Sequence, residues 1–237
     1  MKNKIIWITG ASRGIGLACA KALAARGAKL VLSCSSQETA GVIKKEFAET
    51  PDVYIMPFDI RDDKSIKKVV QKIKLTMGQI DILINNAGIA KFGAAVDMRI
   101  EDFDDMNAIN YRANILCTHA VLPQMIESGH GMIININSVV SQKTFLYCAA
   151  YSASKAAALA YSRSLREELR STGVKIVDIL PGATETDIWD DKSREESGEK
   201  MMQPEDVAAA VDHAIQAMLN DRLMIEEMVI RPQGGDL

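Results

Sequence analysis

Runs of Val, Ile and Leu recur along the chain with no regular polar alternation, at 4–9, 29–34, 53–58, 80–85, 132–137, 174–180 and 224–230. A strand covered on both faces reads this way, whereas a strand with one wet face alternates. Between these runs the apolar spacing turns helical, near 14–26, 36–49, 63–77, 98–127, 152–171 and 204–220. Strand and helix alternating in this manner predict the α/β class and a doubly wound parallel sheet with helices on both faces. Gly27, Gly78, Gly129 and Gly173 fall where helices are expected to stop. Pro204, followed by Glu205 and Asp206, stands near the start of the last helix, where a fixed φ and negative charge both suit. The polar stretch 190–200 reads as a mobile loop, and no repeat, linker or low-complexity segment divides the chain.

Composition narrows the picture. The chain has 237 residues, 48% of them hydrophobic and 25% charged, enough for one large core and a single domain over 1–237. The net charge is −3 with Lys and Arg dispersed, so nothing offers an electrostatic grip on nucleic acid. No apolar run approaches the roughly 20 residues of a membrane span. The start MKNKIIWITG has the positive flank of a signal peptide, but its apolar stretch is too short before Gly10; a first core strand explains it better. The cysteines Cys19, Cys34, Cys117 and Cys148 lack CxxC or zinc spacing. Buried reduced thiols, a cytoplasmic setting and no metal site are expected.

Two patterns carry chemistry. Tyr151 and Lys155 lie four apart in YSASKAAALAYSRSLREEL, on one face of a helix. At about 4 Å and an effective dielectric of about 20, an ammonium would stabilise a phenolate by roughly 4 kcal/mol, or about three pKa units. Such a pair makes a proton-transfer group working near neutral pH. The second pattern is KIIWITGASRGIG: strand, glycine turn, helix. Gly10, Gly14 and Gly16 let the backbone approach a pyrophosphate while the helix points its free N–H groups at the anion. The spacing G-x-x-x-G-x-G differs from the G-x-G-x-x-G fingerprint. No Asp or Glu occurs from Ala11 to Gln37, so the acid that binds the ribose hydroxyls of NAD is missing after the second strand. Arg13 sits in the turn, where its guanidinium can reach a 2′-phosphate, and Ser35 follows the second strand. NADP is therefore expected over NAD. Asp59 follows the third strand, where it either accepts from the adenine amino group or caps the next turn.

TGASRGIG at 9–16, NNAG at 85–88, Asn110, Ser138, YxxxK at 151–155 and PG at 181–182 occur together in this order. As a set they resemble the short-chain dehydrogenase/reductase family, in its compact one-domain branch, over nearly the whole chain. The resemblance implies an NAD(P)-dependent oxidoreductase on a Rossmann-type sheet of seven strands in the order 3-2-1-4-5-6-7. It implies Tyr151 as proton donor to the substrate oxygen, and Lys155 as the group that lowers its pKa and holds the nicotinamide ribose. Ser138 would hydrogen-bond the carbonyl oxygen, and Asn110 would hold a helix kink and a relay water. Cofactor contacts are expected from Gly10, Ser12, Arg13, Gly14, Ile15 and Gly16, and from Ser35, Asp59 and Ile60. Others are Asn86, Ala87 and Gly88 at the end of the fourth strand, then Pro181, Gly182, Thr184 and Thr186 after the sixth, with Tyr151 and Lys155.

Pocket walls are expected from 90–96, 139–148 and 183–202, the last folding over substrate as a lid. They offer Phe92, Val96, Val139, Phe145, Leu146, Tyr147, Ile188 and Trp189, which suit a mainly apolar, small-molecule carbonyl or alcohol. The runner-up is 3-oxoacyl-carrier-protein reduction. Relatives with that activity dock an acidic carrier on basic residues, where this chain has Gly129 and Thr172, with Arg166 and Arg170 as nearby substitutes. A non-catalytic dinucleotide sensor or scaffold is the alternative of another class. Pairing through the long helices near 98–127 and 152–171 makes a homodimer or homotetramer the expected assembly by resemblance.

Overall fold

The computed structural model describes residues 1–236; Leu237, the last residue of the expected unit 1–237, lies outside them. The elements run β1 (Ile5–Ile8), α1 (Gly14–Ala25), β2 (Lys29–Cys34), α2 (Gln37–Glu46), β3 (Val53–Pro57), α3 (Asp63–Thr76) and β4 (Ile82–Asn85). Then come α4 (Ile100–Met106), α5 (Ala113–Ser128), β5 (Gly131–Ile136), α6 (Ala149–Glu168), β6 (Val174–Pro181), α7 (Asp191–Ser197), α8 (Pro204–Met218) and β7 (Glu227–Ile230). The strands form one seven-stranded sheet in the order β3-β2-β1-β4-β5-β6-β7, every pair parallel. The class is as the hydrophobic pattern predicts, and the order is the one the family resemblance implies.

The unbroken apolar runs have a simple cause. Ile6, Ile8, Leu30 and Leu32 pack on one face with residues of α1 and α8. Trp7, Val31, Leu83 and Ile133 pack on the other with residues of α3, α5 and α6. A strand with apolar layers on both sides has no polar position to alternate.

Two elements differ from expectation. The single helix predicted over 98–127 is α4 and α5 joined by a wide π-helical turn, Asn107–Arg112. Asn110 explains it: its Oδ1 accepts from the Ile89 N–H at 2.8 Å, and its Nδ2 donates to Ile89 O and Ser154 Oγ, both at 2.9 Å. A buried amide with three fixed partners holds the helix in a bulge that the sequence period does not announce. The stretch predicted as a mobile loop, 190–200, contains α7. Asp190 caps it by accepting from the Ser193 N–H at 2.8 Å, and Asp191 lies in its first turn.

Of the glycines expected at helix ends, two also rest on each other. Gly129 ends α5 in the left-handed conformation, and a Cβ on Gly173 (φ +77°) would fall 2.0 Å from the Gly129 carbonyl oxygen. No side chain fits there.

Across β4 to β7 runs a polar row in register: Asn85, Asn135, Asp178 and Glu227. Asp178 is wholly buried and Arg166 of α6 nearly so. Arg166 donates to Asp178 Oδ2 at 2.7 Å and also to the Ile176 and Glu226 carbonyls. Burial pushes the Asp178 carboxyl up to about 6, against the pull of the Ser162 hydroxyl and of Arg166. Removing one partner of such a pair strands a charge, while replacing both with apolar groups does not. Arg166→Leu is expected to cost about 3–5 kcal/mol in urea unfolding, with most of it recovered in Arg166→Leu/Asp178→Leu. A single-variant loss under about 1 kcal/mol would refute this account of the pair.

Candidate active site

The glycine turn after β1 and the end of β4 are locked together. Asn86 Nδ2 donates to Thr9 O at 3.0 Å and Gly10 O at 2.9 Å. In return Thr9 Oγ1 accepts from the N–H groups of Asn86 and Ala87, at 3.0 and 3.1 Å. The approach excludes side chains. A Cβ on Gly10 (φ +64°) would lie 2.8 Å from Ala87 Cα, and one on Gly16 would lie 2.4 Å from both Asn86 Nδ2 and Gly10 O. Arg13 is the N-cap residue of α1 but gives it no side-chain cap. The first-turn N–H groups are thus open to an anion at the cleft floor.

This turn floors a cleft of about 720 Å³ along the C-terminal edge of the sheet. Of the residues picked out by sequence, Gly10, Ser12, Arg13, Gly14 and Ile15 line its floor. Ser35, Asp59 and Ile60 line one end, and Asn86, Ala87 and Gly88 the middle. Tyr151, Lys155 and Thr186 close the other end. Gly16, Asn110, Ser138, Pro181, Gly182 and Thr184 stand behind this surface. Gly16 secures the turn, and Gly182 donates its N–H to Ile230 O at 2.7 Å. The Thr184 carbonyl accepts from Trp189 Nε1 at 3.0 Å.

Tyr151 lies in the first turn of α6 and Lys155 one turn on, both buried. Their coupling differs from the one the spacing predicts. Lys155 Nζ donates to Ile136 O at 2.9 Å and sits 6.0 Å from the centroid of the Tyr151 ring. Burial pushes the phenol up to about 12, and the Ser138 hydroxyl pulls it part of the way back. Burial also lowers Lys155 to about 8, with the Asp178 charge opposing. Desolvation disfavours both charged forms and is the largest influence on each. Ser138 Oγ accepts from the Val140 N–H at 3.3 Å. Gly88 leaves room for the group behind: a Cβ there would lie 3.3 Å from Asn110 Oδ1 and 3.5 Å from Lys155 Nζ.

The opposite end is ionic. Asp59, expected either to meet adenine or to cap a turn, lines the cleft and closes the turn after β3: its Oδ1 accepts from the Arg61 N–H at 2.9 Å, and Arg61 also grips the carboxylate through Nε and Nη2. Arg61 holds the Asp59 carboxyl below the usual range and lines the cleft itself. Sequence reasoning passed over it, although an arginine two residues from an exposed aspartate was legible. Arg13 is two-thirds exposed and pairs with Asp187 at 3.3 Å, and Ser35 is exposed.

Asn137 was also missed. It lines the cleft next to Ser138, is 5% exposed, and neither of its amide atoms has a partner among the described residues. No pattern in the sequence separates it from any other strand-end Asn. Arg166, named as a docking substitute for a carrier protein, is corrected: it is 3% exposed and bound to Asp178, out of reach of any partner. Arg170 is exposed but pairs with Glu167 and Glu226.

A family model described as short chain dehydrogenase matches residues 4–197. An uncharacterised oxidoreductase of Staphylococcus haemolyticus is 31% identical over 98% of each chain. The 3-oxoacyl-[acyl-carrier-protein] reductase FabG of Escherichia coli is 36% identical over 79% of this chain and 76% of its own. An alcohol dehydrogenase from Thermococcus sibiricus, solved with 5-hydroxy-NADP, superimposes with a TM-score of 0.86 at 27% identity, covering 97% of both chains.

The buried ammonium yields a test on the free protein. With lysine side chains carbon-labelled, the Lys155 signal is expected to titrate near pH 8, well below an ordinary lysine. Asp178→Asn is expected to lower that midpoint further. A midpoint above about 10 would show that burial does not govern this group.

Proposed function

The chain belongs to the short-chain dehydrogenase family, and from that premise we propose that it is an NADP(H)-dependent oxidoreductase. Its substrate is a carbonyl compound or the corresponding secondary alcohol. The observation that carries this reading is the cleft itself, whose glycine floor admits backbone against ligand while its far end presents a buried phenol and ammonium with a serine hydroxyl beside them. When bound, the nicotinamide supplies or accepts the hydride. The protein's own groups handle the oxygen. Ser138 donates a hydrogen bond to the carbonyl oxygen, where negative charge grows. Tyr151, held protonated by burial, gives that oxygen its proton. Lys155 holds the ribose hydroxyls and restores the phenol's proton. Asn110, whose side chain is fully engaged, keeps the wide turn beside Lys155 in place.

NADP is favoured over NAD by the absence of any Asp or Glu from Ala11 to Gln37 and by Arg13 on the cleft floor. The Asp187 partner of Arg13 is an exposed, exchangeable contact, and a phosphate is a stronger one. The relative solved with 5-hydroxy-NADP supports the same choice. Segment 183–202 acts as a lid: Thr186 and Ile188 line the cleft, and Arg194 ties α7 to Glu185 and Asp187. We read 1–237 as one catalytic unit, cytoplasmic, pairing with itself through α5 and α6. No helix among the described residues is long and apolar enough to cross a membrane.

Acyl-carrier reduction is the second reading, favoured by the 36% identity to the Escherichia coli enzyme. It is weakened by the burial of Arg166 and the pairing of Arg170, which leave no free basic patch beside α6 for an acidic carrier.

Tyr151→Phe is expected to cut ketone reduction by about 10²–10⁴-fold, the usual span for a lost general acid, while NADPH binding stays within about two-fold. Near-normal turnover in that variant would remove Tyr151 from the mechanism. NADPH binding by the wild-type protein without turnover of ketones, diketones or acetoacetyl thioesters would favour a sensor, and preference for the thioester would favour the acyl reading. Arg13→Ala is expected to weaken NADPH about ten-fold and leave NADH nearly unchanged. Equal losses for both would place the 2′-phosphate elsewhere.

A further inference from the structure

Three rings meet beside the cleft, around Tyr151. Phe92, on the segment after β4, stacks on Trp189, which stands between β6 and α7; their centroids are 5.2 Å apart and their planes 17° from parallel. The same Phe92 ring meets Tyr151 edge-on, at 5.9 Å and 82°. The chain holds only five Phe, two Trp and five Tyr, so their gathering over the reacting phenol is a specific feature of the site. Tyr151 is 7% exposed, and the ring in contact with its edge is the 38%-exposed Phe92.

The two arms of the stack are held unequally. The Trp189 indole is pinned by its N–H to the Thr184 carbonyl, whose residue is buried. Phe92 has no polar handle and lies on a segment without helix or strand. Phe92 covers one edge of Tyr151, and of the stacked pair it is the member free to yield. The face of Trp189 that it leaves is flat, apolar and wide enough for one ring. The neighbouring wall is Ala90, Val140 and Ile188, partly buried around Tyr151. Two nearby cations are engaged, Lys143 with Asp236 and Arg194 with Glu185 and Asp187. Lys91, the neighbour of Phe92 in the chain, also lines the cleft and is exposed, with no ion pair among the described residues.

We propose that Trp189 and Phe92 form an aryl subsite, so that the preferred substrates are carbonyl compounds with an aromatic ring next to the carbonyl carbon. The inference rests on the carbonyl-reducing reading above and names its substrate class. A ring on Trp189 replaces one stacked pair by another, whereas a saturated ring of equal size forfeits the stacking and keeps only apolar contact. With the ring seated there, the adjoining carbonyl lies toward Tyr151, the residue that Phe92 touches in the free protein.

Binding is tested without turnover, on the NADP⁺-loaded protein, by the emission of Trp189. Trp7 is wholly buried and donates its indole N–H to Ser33, so it supplies a constant background. Acetophenone is expected to quench the emission saturably and to bind about ten-fold more tightly than cyclohexyl methyl ketone. Trp189→Leu, titrated by calorimetry because it lacks the emitting indole, is expected to erase that preference, while Phe92→Leu, which leaves the Trp189 face bare, keeps it; both are checked for native circular dichroism. Equal affinity for the two ketones in the wild-type protein, or a preference that survives in Trp189→Leu, overturns the subsite. A preference that holds in binding while NADPH reduces neither ketone leaves the ring site standing and removes the hydride-transfer reading.

Discussion

The seam between β1 and β4 is the constraint from which the cleft follows. The sheet order places these strands side by side, and just beyond their ends the Asn86 amide binds two carbonyls of the glycine turn while Thr9 binds two N–H groups in return. Four hydrogen bonds fix where the turn stands, and that position is too close for a Cβ at Gly10 or Gly16. The glycines are needed because the backbone must pass there; the open helix terminus behind them is the result.

The other end of the cleft obeys a different rule. Tyr151 and Lys155 share a helical face, yet neither behaves as a solvent-exposed pair would. Burial raises the one and lowers the other, so at neutral pH the phenol is neutral while Lys155, lowered only to about 8, still carries its proton. A phenol that keeps its proton until negative charge develops beside it is a suitable acid for a reduced carbonyl. It is a poor base until a ligand changes its surroundings. Asp178, one layer down and itself held between Ser162 and Arg166, supplies the field that keeps Lys155 from falling further. The buried ladder under α6 thus serves the site as well as the core.

Much of this was legible in the sequence because it is set locally. Strand and helix alternation, the glycines at helix ends and the glycine turn depend on neighbours within a few residues, and they stand where the pattern puts them. The π turn at Asn107–Arg112 depends on Ile89 and Ser154, remote in sequence, and no periodicity reports a remote acceptor. The same limit explains the tyrosine and lysine: a spacing of four says that two groups share a face, but not that Ile136 O will claim the ammonium. By contrast α7 carried its own signals in Asp190 and Asp191, and its high charge hid them. Asn137 gives no local sign at all, since only the fold makes its amide both buried and unpartnered.

The molecule is unequal in stiffness across the cleft, and the ion pairs show where the boundary falls. Arg166 and Asp178 are desolvated, multiply bonded and strand a charge if parted. Arg13 and Asp187 are largely exposed, meet at 3.3 Å, and separate at little cost. Asp187 also receives Arg194 of α7, so one carboxylate ties the glycine floor to the segment that carries Trp189. On the readings proposed above, a ligand phosphate at Arg13 would compete for one half of that tie, and a ring at Trp189 would compete for Phe92 on the far side. The Arg13–Asp187 pair is exposed and the ring stack apolar, whereas Ile188 of the same segment packs against the cluster around Tyr151. The segment thus combines exchangeable surface contacts with one fixed apolar anchor, and the lid reading proposed above rests on the exchangeable ones.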